Sequence, residues 1–75
     1  MDLLAQILEE DAEQDGELPA GFLFASIKNT GDAQAVVNGV ALEPGEAKAY
    51  PFVGKGYQAI SYELGESELR ILYIV

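Results

Sequence analysis

The sequence contains no cysteine, no histidine and no tryptophan, and it sets only four bases against thirteen acids. Each absence removes a class of answer. Without cysteine there is no disulfide, and without cysteine and histidine no Cys₄ or Cys₂His₂ zinc site holds the chain together. The same two gaps exclude Ser-His-Asp and Cys-His catalysis and any imidazole metal centre. A formal net charge of −9 argues against nucleic acid, which is gripped by clustered Lys and Arg. No apolar run approaches the roughly 20 residues that a membrane helix requires. Met1-Asp2-Leu3-Leu4 lacks the basic start and long apolar stretch of a secretory signal, so synthesis in the cytoplasm is the expectation.

What remains is small. Seventy-five residues allow one domain, and a core of this size buries only about 60% of the unfolded chain's surface. Partner subunits are then the expected source of further stability. Charge divides the chain. Residues 1–17 hold seven acids and no base, whereas residues 18–75 hold six acids and four bases, a net of −2. Leu18-Pro19-Ala20-Gly21 punctuates the boundary. The expected organisation is an acidic N-terminal arm, residues 1–17, followed by a single β domain, residues 18–75.

In the arm, Leu3, Leu4, Ile7 and Leu8 fall at helical spacing and predict a short amphipathic helix over residues 2–10, with Asp2 as its cap. So short a helix is marginal alone, and the acids Glu9, Glu10 and Asp11 sit at the unfavourable end of its dipole. The stripe needs a surface, either this domain's own core or the groove of a partner.

The body reads as about six strands. Gly21 to Lys28 forms the first, and Asn29-Thr30-Gly31-Asp32 turns it. Ala35-Val36-Val37 and Val40-Ala41-Leu42 flank Asn38-Gly39, the strongest short hairpin signal, which places Val37 opposite Val40. Pro44-Gly45 suits a type II turn before a strand from Ala47 to Phe52, and Pro51 marks an edge or a strand end. Tyr57 to Leu64, with Ile60, Tyr62 and Leu64 alternating onto one face, and Glu68 to Val75, with Leu69, Ile71, Tyr73 and Val75 on one face, joined at Gly65-Glu66-Ser67, read as a last hairpin. Ile71, Leu72, Tyr73, Ile74 and Val75 are apolar on both faces, so this strand must be covered on both sides, centrally in a sandwich or at a subunit contact. The fold class is all-β: a small antiparallel sandwich or partly open barrel behind a short helix.

Little in the sequence supports catalysis. Gly54-Lys55-Gly56 fails as a P-loop, because Ala49 stands where the first glycine belongs and Gly56 where Ser or Thr must follow the lysine. Asp11 to Asp15 imitates the start of an EF-hand loop, but Phe22 occupies the place of its bidentate Glu. At most this leaves a weak divalent-ion contact; no metal or cofactor is expected. Tyr50 and Tyr57 offer a possible ligand surface of the sugar-stacking kind.

The run Ile27-Lys28-Asn29-Thr30-Gly31, then Val36-Val37-Asn38-Gly39-Val40-Ala41-Leu42-Glu43-Pro44-Gly45-Glu46 and Tyr50-Pro51-Phe52, resembles short β modules in virion proteins of tailed bacteriophages. The likeness spans about residues 22–64. It implies a non-enzymatic structural subunit, such as a capsid decoration, head-fibre, tail or adaptor protein. Such a subunit would be homo-oligomeric and bound to other virion proteins, with no nucleic acid or membrane partner. Apart from that likeness, the apolar stripe Leu3, Leu4, Ile7 and Leu8 and the strand from Ile71 to Val75 are the surfaces expected to make partner contacts. The alternative is a small glycan-binding module using Tyr50 and Tyr57.

Overall fold

A computed structural model describes residues 4–75. Eight strands follow one another: β1 (Ile7–Ala12), β2 (Gly16–Leu18), β3 (Phe24–Asn29), β4 (Ala35–Val37), β5 (Val40–Leu42), β6 (Ala47–Tyr50), β7 (Ile60–Glu63) and β8 (Leu69–Ile74). They form two antiparallel four-stranded sheets, ordered β1-β8-β3-β6 and β2-β7-β4-β5. In this order each strand lies beside the one equally far from the other end of the series, β1 with β8, β2 with β7, β3 with β6 and β4 with β5. That nested wrap of two Greek keys is the jelly roll.

The six strands expected in the body are β3 to β8. The helix expected over residues 2–10 is not there. Leu4 precedes β1, and Ile7, Leu8, Glu9 and Glu10 belong to it; Asp2 and Leu3 lie outside the described residues. The strand wins because β8 offers six successive partners, from Ile7↔Ile74 to Ala12↔Leu69. A two-turn helix with carboxylates at its C-terminal end has no comparable compensation. Residues 7–18, which carry most of the acidic excess, thus supply one strand to each sheet, and Ala12 and Leu18 are buried.

The last hairpin is corrected too. β7 pairs with β2 and β4, while β8 pairs with β1 and β3, so the two strands lie in different sheets. Of the expected alternating rows, Ile60, Tyr62 and Leu64 are buried on one strand and Leu69 and Ile71 on the other, while Tyr73 is half-buried and Val75 exposed. Facing apolar rows serve a sandwich as well as a hairpin. Only β4 and β5 are consecutive strands of one sheet; every other connection crosses from sheet to sheet. There Val37 pairs with Val40, and Asn38 and Gly39 take φ of 53° and 77°, as a type I′ turn demands.

Between the sheets lie Ile27, Leu69 and Ile71 from one and Leu18, Val37, Ile60 and Tyr62 from the other, closed by Phe22 and Leu64. Gly16 stands opposite Tyr62, and a Cβ there would meet the Tyr62 hydroxyl at 2.9 Å. Burial raises the Tyr62 hydroxyl pKa above its ordinary value of 10.0, helped by the charge of Glu10 and by Tyr73.

One end of the sandwich is closed by polar groups. The Asn29 side chain is fully buried; it donates to the carbonyls of Ala33 and Leu42 at 2.8 Å each. Its Oδ1 accepts from Gly31 N–H at 3.0 Å and from the Ser67 hydroxyl at 2.7 Å. One amide therefore joins β3, the loop before β4, the end of β5 and the corner before β8. Asp15 accepts from Leu64 N–H at 2.8 Å and ties down the β1–β2 connection nearby.

Candidate functional site

The opposite end is unlike this. Register places the start of β1, the end of β8, the start of β3 and the end of β6 together there. Among the described residues the exposed large apolar side chains are Leu4, Ile7, Leu8, Val40, Phe52, Val53 and Val75. They lie at this end, Leu4, Ile7, Leu8 and Val75 towards the β1 edge of the first sheet, Phe52 and Val53 beyond its β6 edge, and Val40 in the Asn38-Gly39 hairpin of the second sheet. Leu4 is 85% and Ile7 63% exposed, and Phe52 is 63% exposed beyond β6.

The patch continues onto the outer face of the first sheet. Residues directly opposite on antiparallel strands share a face. Ile7, Ile74 and Phe24 therefore form one row across β1, β8 and β3, and Glu9, Leu72, Ser26 and Ala49 form the next. The third row, Asp11, Arg70, Lys28 and Ala47, is charged. Arg70 Nε meets Asp11 Oδ1 at 3.0 Å with both side chains exposed, an ion pair that contributes little. The sheet face thus grades from apolar to charged over three rows.

These positions account for the residues singled out by sequence. Ile7 and Leu8 are exposed on an edge strand rather than a helix, with exposed Leu4 just before it; Leu3 lies outside the described residues. Ile71 is buried in the core, Leu72, Tyr73 and Ile74 are half-buried, and Val75 is exposed. Because β8 lies between β1 and β3, its backbone edges are both taken by its own chain, and only the outward side chains Leu72 and Ile74 face away from the core. Phe24, Phe52 and Val53 were missed. Pro51, which halts the β6 ladder just before Phe52, was the available signal.

Tyr50 and Tyr57 are brought together at the same end. Their rings meet edge to face, centroids 5.8 Å apart, and Tyr57 stacks on buried Phe22 at 5.0 Å. The Tyr57 hydroxyl donates to the Pro51 carbonyl at 2.6 Å, whereas the buried Tyr50 hydroxyl has no hydrogen-bond partner among the described residues. A cleft of about 390 Å³ lies beside them, lined also by Asn38, Val53, Lys55 and Gln58.

The acids are dispersed. Asp11 faces Arg70, Asp15 holds Leu64 N–H, and Glu46 accepts from Glu43 N–H. Among the described residues no three acids converge to hold a metal ion. Comparison with protein-family models, curated proteins and solved structures returns no match for this chain.

Proposed function

We propose that this protein is a non-enzymatic structural subunit that works by protein–protein contact through the open end of its jelly roll. The observation that carries this reading is the gathering of Leu4, Ile7, Leu8, Phe52, Val53 and Val75 at one end of a domain whose other end is closed by hydrogen bonds. Apolar side chains grouped on a surface mark contact sites, whereas single ones carry no such meaning. Jelly rolls occur among viral capsid domains, which agrees with the resemblance to phage virion modules as analogy of fold. A virion is accordingly the first setting in which to seek the partner, whether further copies of this chain or another virion protein.

Sedimentation tests it. The intact chain should run above its 8.0 kDa monomer mass, or form a stoichiometric complex with a protein encoded beside it. Ile7→Asp with Phe52→Asp should abolish that association while the circular dichroism and urea midpoint stay near wild type. A chain that remains monomeric with every such neighbour, or whose complex survives both substitutions, overturns the reading.

The cleft beside Tyr50 and Tyr57 favours a second reading, a glycan-binding module, since lectin domains share this fold. Glycan-array binding lost on Lys55→Ala or Gln58→Ala, with the fold intact, would support it over the first.

A further inference from the structure

We propose that β1 accepts an extended basic segment of a partner protein as a fifth strand of the first sheet. This deepens the reading above by naming the chemistry of one partner. β1 is the outermost strand of its sheet, pairing only with β8. With six residues it is longer than the other three edges, β2, β5 and β6, which have three, three and four.

Its free backbone groups follow from register. Gln6 and Val75 exchange both backbone hydrogen bonds, at 2.9 and 3.0 Å. Hydrogen-bonded pairs alternate along an antiparallel ladder, so Gln6, Leu8, Glu10 and Ala12 face β8. The N–H and C=O groups of Ile7, Glu9 and Asp11 then point outward. Such a row of donors and acceptors is a template for strand addition.

Charge selects the occupant. Along the edge, Ile7 and Leu8 are followed by Glu9, Glu10 and Asp11, and no base lies among residues 1–17. A second copy paired antiparallel along the whole of β1 would set Glu9 of each copy against Glu10 of the other, on a chain already at −9. Like charges directly opposite are destabilising, and opposite charges are favourable. An antiparallel newcomer therefore presents Lys or Arg opposite Asp11, Glu10 and Glu9 and then aliphatic residues opposite Leu8 and Ile7. The acidic edge excludes its own kind and admits its complement.

The test uses the full chain, isotope-labelled, with a blocked peptide whose paired stretch reads Lys-Arg-Lys-Val-Ile, and the same peptide with Glu at each basic position. The basic peptide should bind roughly tenfold or more tighter, from three favourable pairs replacing three unfavourable ones. It should protect the amides of Ile7, Glu9 and Asp11 from exchange, and salt should weaken it. Glu9→Lys with Asp11→Lys should reverse the preference between peptides. Glu9→Pro should abolish binding of both with the fold retained, since that N–H makes no bond to β8 and proline is tolerated on edges.

No binding by the basic peptide at millimolar concentration overturns the proposal, as do equal affinities for both peptides or binding that leaves those amides unprotected. Protection of the same amides by self-association in the absence of peptide also overturns it. A complex held through Phe52 and Val53 with β1 still exchanging would sink this inference and leave the assembly reading standing.

Discussion

The two ends of the sandwich are finished by different means. At one, Asn29 satisfies two carbonyls, an N–H and a hydroxyl, and every large apolar side chain nearby is covered. At the other, Ile7, Phe52 and Val53 stand more than half exposed, and the Tyr50 hydroxyl is buried without a partner among the described residues. The contrast teaches that the chain spends its directional bonds where the sheets must be locked together. Its surplus apolar surface is left at the other end, where the proposed partner would sit. Substitutions at the closed end should therefore cost stability, and substitutions at the open end should cost association.

The largest effect is expected at Asn29. Asn29→Ala strands the Ala33 and Leu42 carbonyls, the Gly31 N–H and the Ser67 hydroxyl, and each buried polar group left alone costs about 1–3 kcal/mol. For a domain this small the variant should be mostly unfolded in plain buffer by circular dichroism. A urea midpoint near wild type would show that the latch is ornamental. Next comes Gly31→Ala, whose Cβ would run into Ser67 Oγ and meet Glu68 N at 2.7 Å. Backbone must move to admit it, at about 1–3 kcal/mol in chemical denaturation. Ser67→Ala should not rescue it, because the Glu68 contact is main chain.

Gly39→Val sharpens the comparison, since its hairpin borders the open end, where Asn38 lines the cleft beside Tyr50, yet its cost falls on stability. A Cβ there meets nothing within 4 Å, so only the φ of 77° opposes a branched side chain, at about 1–3 kcal/mol. Smaller still is the effect of alkali. The Tyr62 pKa is raised in the folded chain, so its contribution is fully present below the unfolded value near 10 and is lost as pH climbs through the folded one. Urea midpoints should thus hold through neutral pH and fall above about pH 10. Tyr62→Phe should flatten that fall. Last, Phe52→Ser should change stability by no more than about 0.5 kcal/mol. A larger loss would mean that the open end belongs to the core.

Much of this was legible residue by residue, and the gaps have physical causes. Asn38-Gly39 declared itself because two successive positive φ values leave few choices of side chain. Gly45 behaves in the same way, with φ of 83° after Pro44. Alternation marked Ile60, Tyr62, Leu64, Leu69 and Ile71 as buried, and they are. Which sheet each strand joins was not legible, because a tight turn reverses the chain equally well within a sheet or across a sandwich. Gly65-Glu66-Ser67 looked like a hairpin and is a corner, held by Ser67 N–H donating to the Leu64 carbonyl. β1 was hidden for another reason. Ile7 and Leu8 fit a helical stripe, and what makes them a strand is β8, some sixty residues further on. Of the site, the residues Leu4, Ile7, Leu8, Tyr50 and Tyr57 were visible and their convergence was not, since nothing local says that the start of β1 and the end of β6 share one end.

The placement of β8 has a consequence for biosynthesis. It is the last of the eight strands to leave the ribosome, yet it sits between β1 and β3 in the middle of its sheet. Until Leu69 to Ile74 emerge, β1 has no neighbour and β3 lacks one of its two. The nascent chain must therefore wait with its first strand unhoused, and Glu9, Glu10 and Asp11 lie on that waiting strand, where charges discourage edge-to-edge pairing.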